Sequence, residues 1–225
     1  VRTDFPRASV ADIYNQIIKD LEYSVQYSPE KPAKTGKAAK YAAAHLLAKV
    51  YLTRGSAVSD QRGQQPSDME NALKYAKMVI DCGQYELLTN FADLWDINIY
   101  YSINPTTETH RYKYFAWDKE DVTKNNRYYP PLLKYFDPLR LSVNDGQGGR
   151  EWVKMRLAET YLIAAEASGR NGDYQTAADY INVVRKRAAW QDGETKMSQY
   201  WREEGGKIGD TNSTFADIQV TAADI

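Results

Sequence analysis

The run RLAETYLIAAEA, Arg156 to Ala167, sets two glutamates inside one of the most apolar stretches of the chain. A pair of carboxylates is the commonest apparatus for hydrolysing a glycosidic bond, so their spacing is the first thing to test. At helical rise, seven positions separate the backbones of Glu159 and Glu166 by about 10.5 Å, whereas carboxylates that do this work sit roughly 5 to 9.5 Å apart. Arg156, Glu159, Glu166 and Arg170 also share one stripe at helical spacing. Arg156 can pair with Glu159 and Glu166 with Arg170, each pair contributing about 0.2–0.5 kcal/mol. The pattern is that of a charged outer face on an amphipathic helix. No other enzymatic arrangement stands out. The chain has no G-x-S-x-G elbow, no phosphate-binding G-x-x-x-x-G-K-[ST] and no H-E-x-x-H. His45 falls within an expected helix, where a satisfied structural imidazole is the simpler reading, and His110 stands alone in a Thr-rich loop. Two histidines and one cysteine are too few for a zinc site. SVNDGQGG offers oxygens, but its acidic spacing does not match a calcium loop and it reads as a solvated turn. We therefore expect no catalytic residue, no metal and no cofactor.

The elements that would position any site are helices. Ser9 followed by Asp12 reads as a capping box, after which Ile13, Ile17, Leu21 and Val25 recur every four residues until SPEKP stops the pattern. Lys37 to Arg54 repeats the logic with Tyr41, Ala44, Leu47, Ala48 and Tyr51 and ends at Gly55. A polar loop leads to a further helix from Asp68 to about Cys82, with Gly83 as its cap. Trp152 to Ser168 and Asp173 to Ala189 form another pair around the turn GRNGD. The two pairs resemble each other. Ala48 and Ala165 are small residues that let helices approach, preceded by Leu47 and Ala164 and followed by Tyr51 and Ser168. Gly55 and Gly172 close the first helices, and Ala72, Ala76, Val79 match Ala177, Ile181, Val184 in the second. Such a unit resembles a tetratricopeptide hairpin.

Between the pairs, Tyr85 to Arg150 has no sustained 3.6-residue period, yet holds eight of the 18 tyrosines and two of the five tryptophans. Long aperiodic insertions are usually functional or disordered, and this aromatic content argues against disorder. The organisation expected is one domain over 1–225: helices over 1–84, an irregular insertion over 85–150, a helix pair over 151–190 and a loop and tail over 191–225. A net charge of −1 and a pI near 6.2 give no electrostatic reason to expect nucleic acid or an anionic membrane surface. His45 and Lys49 break the longest apolar run well short of the ~20 residues that span a bilayer. Cys82, in VIDCGQY, reads as a small buried hydrophobe. The start without Met and the end at TAADI, in the middle of what reads as a helix start, are those expected of a processed or partial chain.

Taken in order, DIYNQIIKDLEYSV, GKAAKYAAAHLLAKVYL, NALKYAKMVIDCGQYELL with FADLWD, and VKMRLAETYLIAAEA with AADYINVVRKRAA resemble the SusD/RagB family of outer-membrane nutrient-binding proteins. Together these blocks cover most of the chain. The resemblance implies an all-α, tetratricopeptide-like superhelix carrying a ligand surface on its loops and insertions. It implies a lipoprotein anchored at the cell surface of the outer membrane, which caps a SusC-like TonB-dependent transporter and delivers oligosaccharides or, in some branches, peptides. No nucleic acid is implied, and the membrane is expected to be reached only through an implied lipid anchor, itself expected outside these residues. Family members are longer, and DLWDINIYYSINPTTETH and FDPLRLSVNDGQGGREW are contracted relative to them.

A glycan is held by flat rings against the C–H face of a sugar, with amides, carboxylates or Arg on its hydroxyls. The Tyr/Trp-rich insertion has that mixture. Trp117, flanked by charges in AWDKEDV, is the first candidate to touch ligand. Tyr128 and Tyr129, beside Asn125, Asn126 and Arg127 in KNNRYYPP, follow with Tyr101. Trp95 and Trp152 are expected in the core. The function expected is a non-catalytic glycan-binding subunit of an uptake system. The alternatives are a helical-repeat adaptor that binds peptides or partner proteins in a groove between helix pairs, and a glycoside hydrolase with two facing carboxylates.

Overall fold

The computed structural model of the chain describes residues 6–34, 36–88, 154–191 and 213–225. All regular structure among them is helical: α1 (Val10–Tyr27), α2 (Lys40–Gly55), α3 (Asp68–Ile80), α4 (Leu157–Arg170), α5 (Tyr174–Ala188) and the single turn α6 (Phe215–Ile218), with short 3-10 turns at Asp60–Arg62 and Ala222–Asp224. The chain divides into two compact units. One comprises Val1–Leu87, Lys154–Lys186 and Gln219–Ile225, the other Leu88–Val153 and Arg187–Ile218. In the second unit the described residues include α6, whose start is held by Asp217 accepting from the Thr214 N–H and hydroxyl, each at 2.8 Å. The Trp190 N–H there donates to the Ser213 carbonyl at 2.9 Å.

The first unit is built on α2, which packs against α1, α3 and α4. Tyr41, Ala43, Ala44, His45, Leu47, Ala48, Tyr51 and Arg54 are all buried on it, so α2 is covered on most of its circumference. Alanines set the spacing of its neighbours. Ala44, Ala48, Ala72, Ala76, Ala164 and Ala167 are wholly inaccessible, which brings backbones close and leaves Leu47 and the stacked rings of Tyr51 and Tyr75 to fill the rest. Ala48 and Ala165 lie at buried positions, as their size predicts. On α5, burial is greatest at Ala177 and Ala178, while Ile181 and Val184 are half-buried.

Local chemistry explains most of the helix ends. The Ser9 hydroxyl accepts from the Asp12 N–H at 3.1 Å and caps α1. At the α4–α5 turn the Asp173 N–H reaches the Ser168 carbonyl and the Gly172 N–H the Gly169 carbonyl, each at 3.0 Å. Gly172 stands at φ 85°, so this is a complete Schellman turn whose left-handed residue favours glycine. Asp173 then caps α5 by accepting from the Thr176 N–H at 3.0 Å, and the Thr176 hydroxyl, with that N–H, holds its carboxyl below the usual range. Gly55 answers a different need. A Cβ there would lie 2.6 Å from the Asp68 Cβ and 2.5 Å from the Met69 Cε, so only glycine lets the end of α2 meet the start of α3.

Several boundaries differ from the sequence reading. α2 begins at Lys40 and not Lys37, because Ala39 is extended and the Lys40 N–H donates back to the Pro29 carbonyl at 3.0 Å. α3 stops at Ile80, two residues before Cys82, which is itself half-buried. α4 begins at Leu157: Arg156 is extended (φ −130°, ψ 141°) and its carbonyl takes the Glu159 N–H at 2.9 Å. Arg156 is therefore not part of a helical stripe with Glu159. In α1, Ile18, Leu21 and Val25 face the core, while Ile13 is 49% and Ile17 38% exposed. A strict four-residue spacing drifts about 40° per step around a helix, so Ile13 and Ile17 leave the face that α2 covers. The insertion expected over 85–150 lies outside the described residues from 89 onward, together with Trp95, His110 and Trp152.

Candidate functional site

Trp117, Tyr128, Tyr129, Tyr101, Asn125, Asn126 and Arg127 all lie outside the described residues. Among the described residues, polar side chains converge at two places in the first unit, and each can be tested for chemistry.

The first joins α2 to α4. His45 is 4% exposed. Its Nδ1 lies 2.8 Å from the Thr160 Oγ1 and its Nε2 3.3 Å from the Glu159 Oε2, while the other Glu159 oxygen takes Lys49 Nζ at 2.6 Å. The partners assign the tautomer. A carboxylate only accepts, so Nε2 carries the hydrogen and Nδ1 accepts from the Thr160 hydroxyl. Burial lowers the pKa of the ring, outweighing the pull of Glu159 the other way, and Lys49 adds to the lowering. For Glu159, burial acts to raise the pKa, but Lys49 and His45 together hold it below the ordinary carboxylate range. Hydroxyl, imidazole and carboxylate stand here in the order of a nucleophile, its base and the group that orients the base. Thr160, however, is 1% exposed in the first turn of α4 and packed beneath α2. No substrate carbonyl can reach its oxygen in this packing, and the arrangement is a cross-brace between helices 115 residues apart in sequence.

The second place ties α1, α2 and α3 together. Arg54, 6% exposed, meets Asp68, 1% exposed, through Nη2 at 2.6 Å and through Nε at 3.1 and 3.2 Å. Arg54 Nη1 donates to the Asn15 Oδ1 at 3.1 Å, and the Gln65 N–H caps the other side of Asp68 at 2.9 Å. Next to it the Tyr51 hydroxyl donates to Glu22 at 2.9 Å, with Tyr75 at 3.5 Å from the same oxygen. Burial, then Glu22, pushes both phenols above their usual range. Arg54 thus donates from Nε, Nη1 and Nη2, and both Asp68 oxygens accept, all within the fold.

Glu166 pairs with Arg170 at 2.8 Å in the i,i+4 relation that spacing predicts. Glu159 instead turns to α2. The two glutamates thus serve separate partners, neither facing the other across a cleft. Sequence reasoning missed Lys49, Thr160, Arg54 and Asp68. Lys49 could have been found from its i,i+4 relation to His45, and Arg54 and Asp68 from their places at the facing ends of consecutive helices. Thr160 had no local signal. Among the described residues no group of three His, Cys, Asp or Glu side chains could hold a metal ion, and no helix is long and apolar enough to cross a membrane.

Comparison with known proteins adds what these residues leave open. The SusD family signature matches residues 20–218. The chain is similar to a SusD-like protein of Bacteroides ovatus, 38% identical over 84 residues that make up 37% of this chain and 15% of the relative. It is also similar to SusD-like protein P2 of Formosa agariphila, 25% identical over 248 aligned positions covering 79% of this chain and 47% of the relative. The chain therefore spans less than half the length of either relative. No solved structure matches it.

Proposed function

The chain belongs to the SusD family, and from that premise we propose that it serves as a non-catalytic, cell-surface glycan-binding subunit of an outer-membrane nutrient-uptake system. The observation that carries this reading is the family match over residues 20–218, which takes in both helix pairs and the aromatic insertion between them. In this reading the helices are scaffold. His45 with Thr160, and Arg54 with Asp68, spend hydrogen bonds on joining one helix to another, which supports a scaffold role for them. Recognition falls to the insertion, with Trp117 and the tyrosines Tyr128, Tyr129 and Tyr101 as stacking surfaces and Asn125, Asn126 and Arg127 as hydroxyl partners. The ligand is an oligosaccharide or polysaccharide, and the partner a SusC-like TonB-dependent transporter, reached at the outer membrane through a lipid anchor.

Titration calorimetry against a panel of oligosaccharides, chosen by a glycan-array screen of the protein, tests the proposal. A binding glycan is expected. Trp117→Ala should then weaken it about tenfold or more, equivalent to roughly 1.4 kcal/mol, with circular dichroism and melting temperature close to the parent. Loss of the fold would make Trp117 a core residue, and unchanged affinity would remove it from the site. Absence of binding across the panel, with peptides bound instead, would replace the glycan reading by the adaptor.

A further inference from the structure

The cross-brace of α2 and α4 has a property that glycan binding does not call on. In the neutral ring each nitrogen faces a suitable group: Nε2–H lies 3.3 Å from the Glu159 carboxylate, and Nδ1 accepts from Thr160. A second proton makes Nδ1 a donor. Thr160 must then turn its hydroxyl to accept, which strips that hydroxyl of its own acceptor inside a site it shares with a ring only 4% exposed. The charge itself would sit where water cannot solvate it. Glu159 attracts that charge, but Lys49 at 2.6 Å already neutralises much of its field. Among the described residues, the charged groups acting on the ring are Glu159 from α4 and Lys49 from α2; α1 and α3, which also pack against α2, contribute none.

We propose that His45, Glu159 and Thr160 form a proton-operated lock between α2 and α4, closed while the ring is neutral and loosened when mildly acidic solution charges it. The inference goes beyond ligand binding and does not depend on it. The direction follows from linkage. The ring titrates lower in the packed protein than its ordinary 6.5 because burial disfavours the cation. The opened state therefore takes up the proton first. Stability of the contact is complete above about pH 6.5 and falls as pH drops through that value, until the packed ring also protonates. Inside that window the constant for opening rises about tenfold per pH unit. Glu159 acts in a separate, lower range. Its packed value lies below the ordinary 4.5, so its contribution persists until pH falls further.

Two readouts test the lock. The first is hydrogen exchange of the α4 amides at about pH 7.5 and about pH 5.5, corrected for the intrinsic dependence of exchange on pH. Protection in the parent should fall on acidification. It should become insensitive to pH in His45→Gln and keep its response in His110→Gln, which alters the one other histidine. The second is the titration of the His45 ring by NMR in the folded protein. The midpoint should lie below 6.5, move lower in Glu159→Gln and move higher in Lys49→Met. Protection that ignores pH in the parent, or persists in its pH response after His45→Gln, overturns the lock. If His45→Gln does not fold, the titration decides alone: a parent midpoint at or above 6.5, or variants that leave it in place, overturns the proposal.

Discussion

Removing Asp68 should be the most damaging single polar change in the first unit. Its carboxylate is 1% exposed and is the counter-ion of a guanidinium that is 6% exposed. Asp68→Ala leaves Arg54 with Asn15 at 3.1 Å and the face of Tyr51 at 5.4 Å, neither of which carries a negative charge. It also strands the Gln65 N–H. Breaking a buried pair from one side costs about 3–5 kcal/mol, because the remaining charge is desolvated and uncompensated. That is a large share of the ~5–15 kcal/mol that stabilises a typical domain. At roughly 2–4 °C per kcal/mol for a chain of this size, the melting temperature should fall by roughly 6–20 °C. The assay is thermal and urea unfolding followed by circular dichroism, with Asp81→Ala as the reference. Asp81 pairs with Lys77 at 3.6 Å with both side chains at least half exposed, and its loss should cost under about 0.5 kcal/mol. The double change Arg54→Met, Asp68→Leu removes both charges and should recover most of the loss. The reasoning fails if Asp68→Ala costs no more than Asp81→Ala, or if the double variant is worse than the single.

Three further outcomes follow from packing and pairing. Ala48→Leu adds bulk at a position with no accessible surface and should destabilise by about 1–3 kcal/mol in urea unfolding; a neutral result would mean that the α2 contacts can relax. Gly55→Ala would ordinarily gain up to ~1 kcal/mol in a helix, but its new methyl meets the Asp68 Cβ at 2.6 Å, a residue that Arg54 holds in place. A net loss in melting temperature is expected, and a gain would show that α3 can shift. Glu166→Gln removes an exposed i,i+4 pair and should change stability by less than about 0.5 kcal/mol while leaving any ligand affinity unchanged; loss of binding would return that carboxylate to a functional role.

Much that depends on residues three or four apart was legible in the sequence, except where a helix end or a covering helix was misplaced, as for Arg156 with Glu159. The cap at Ser9, the Schellman turn at Gly172, the Glu166–Arg170 pair and the small-residue contacts at Ala48 and Ala165 are encoded by near neighbours, since helix geometry fixes which side chains can meet. Family membership was legible for a related reason: it rests on the order of several such local patterns. Tertiary structure alone decided which stripe of α1 is covered, because the four-residue spacing of Ile13 and Ile17 says nothing of where α2 will lie. It alone brought Glu159 to His45 and Lys49 across 110 or more residues. The same Glu159 could have joined Arg156 had the helix begun where the charge pattern places it. An extended Arg156 and the arrival of α2 redirected it, for the partner of a polar side chain is chosen by what the packed backbone puts within about 3 Å, and that distance is set only when remote helices close on one another.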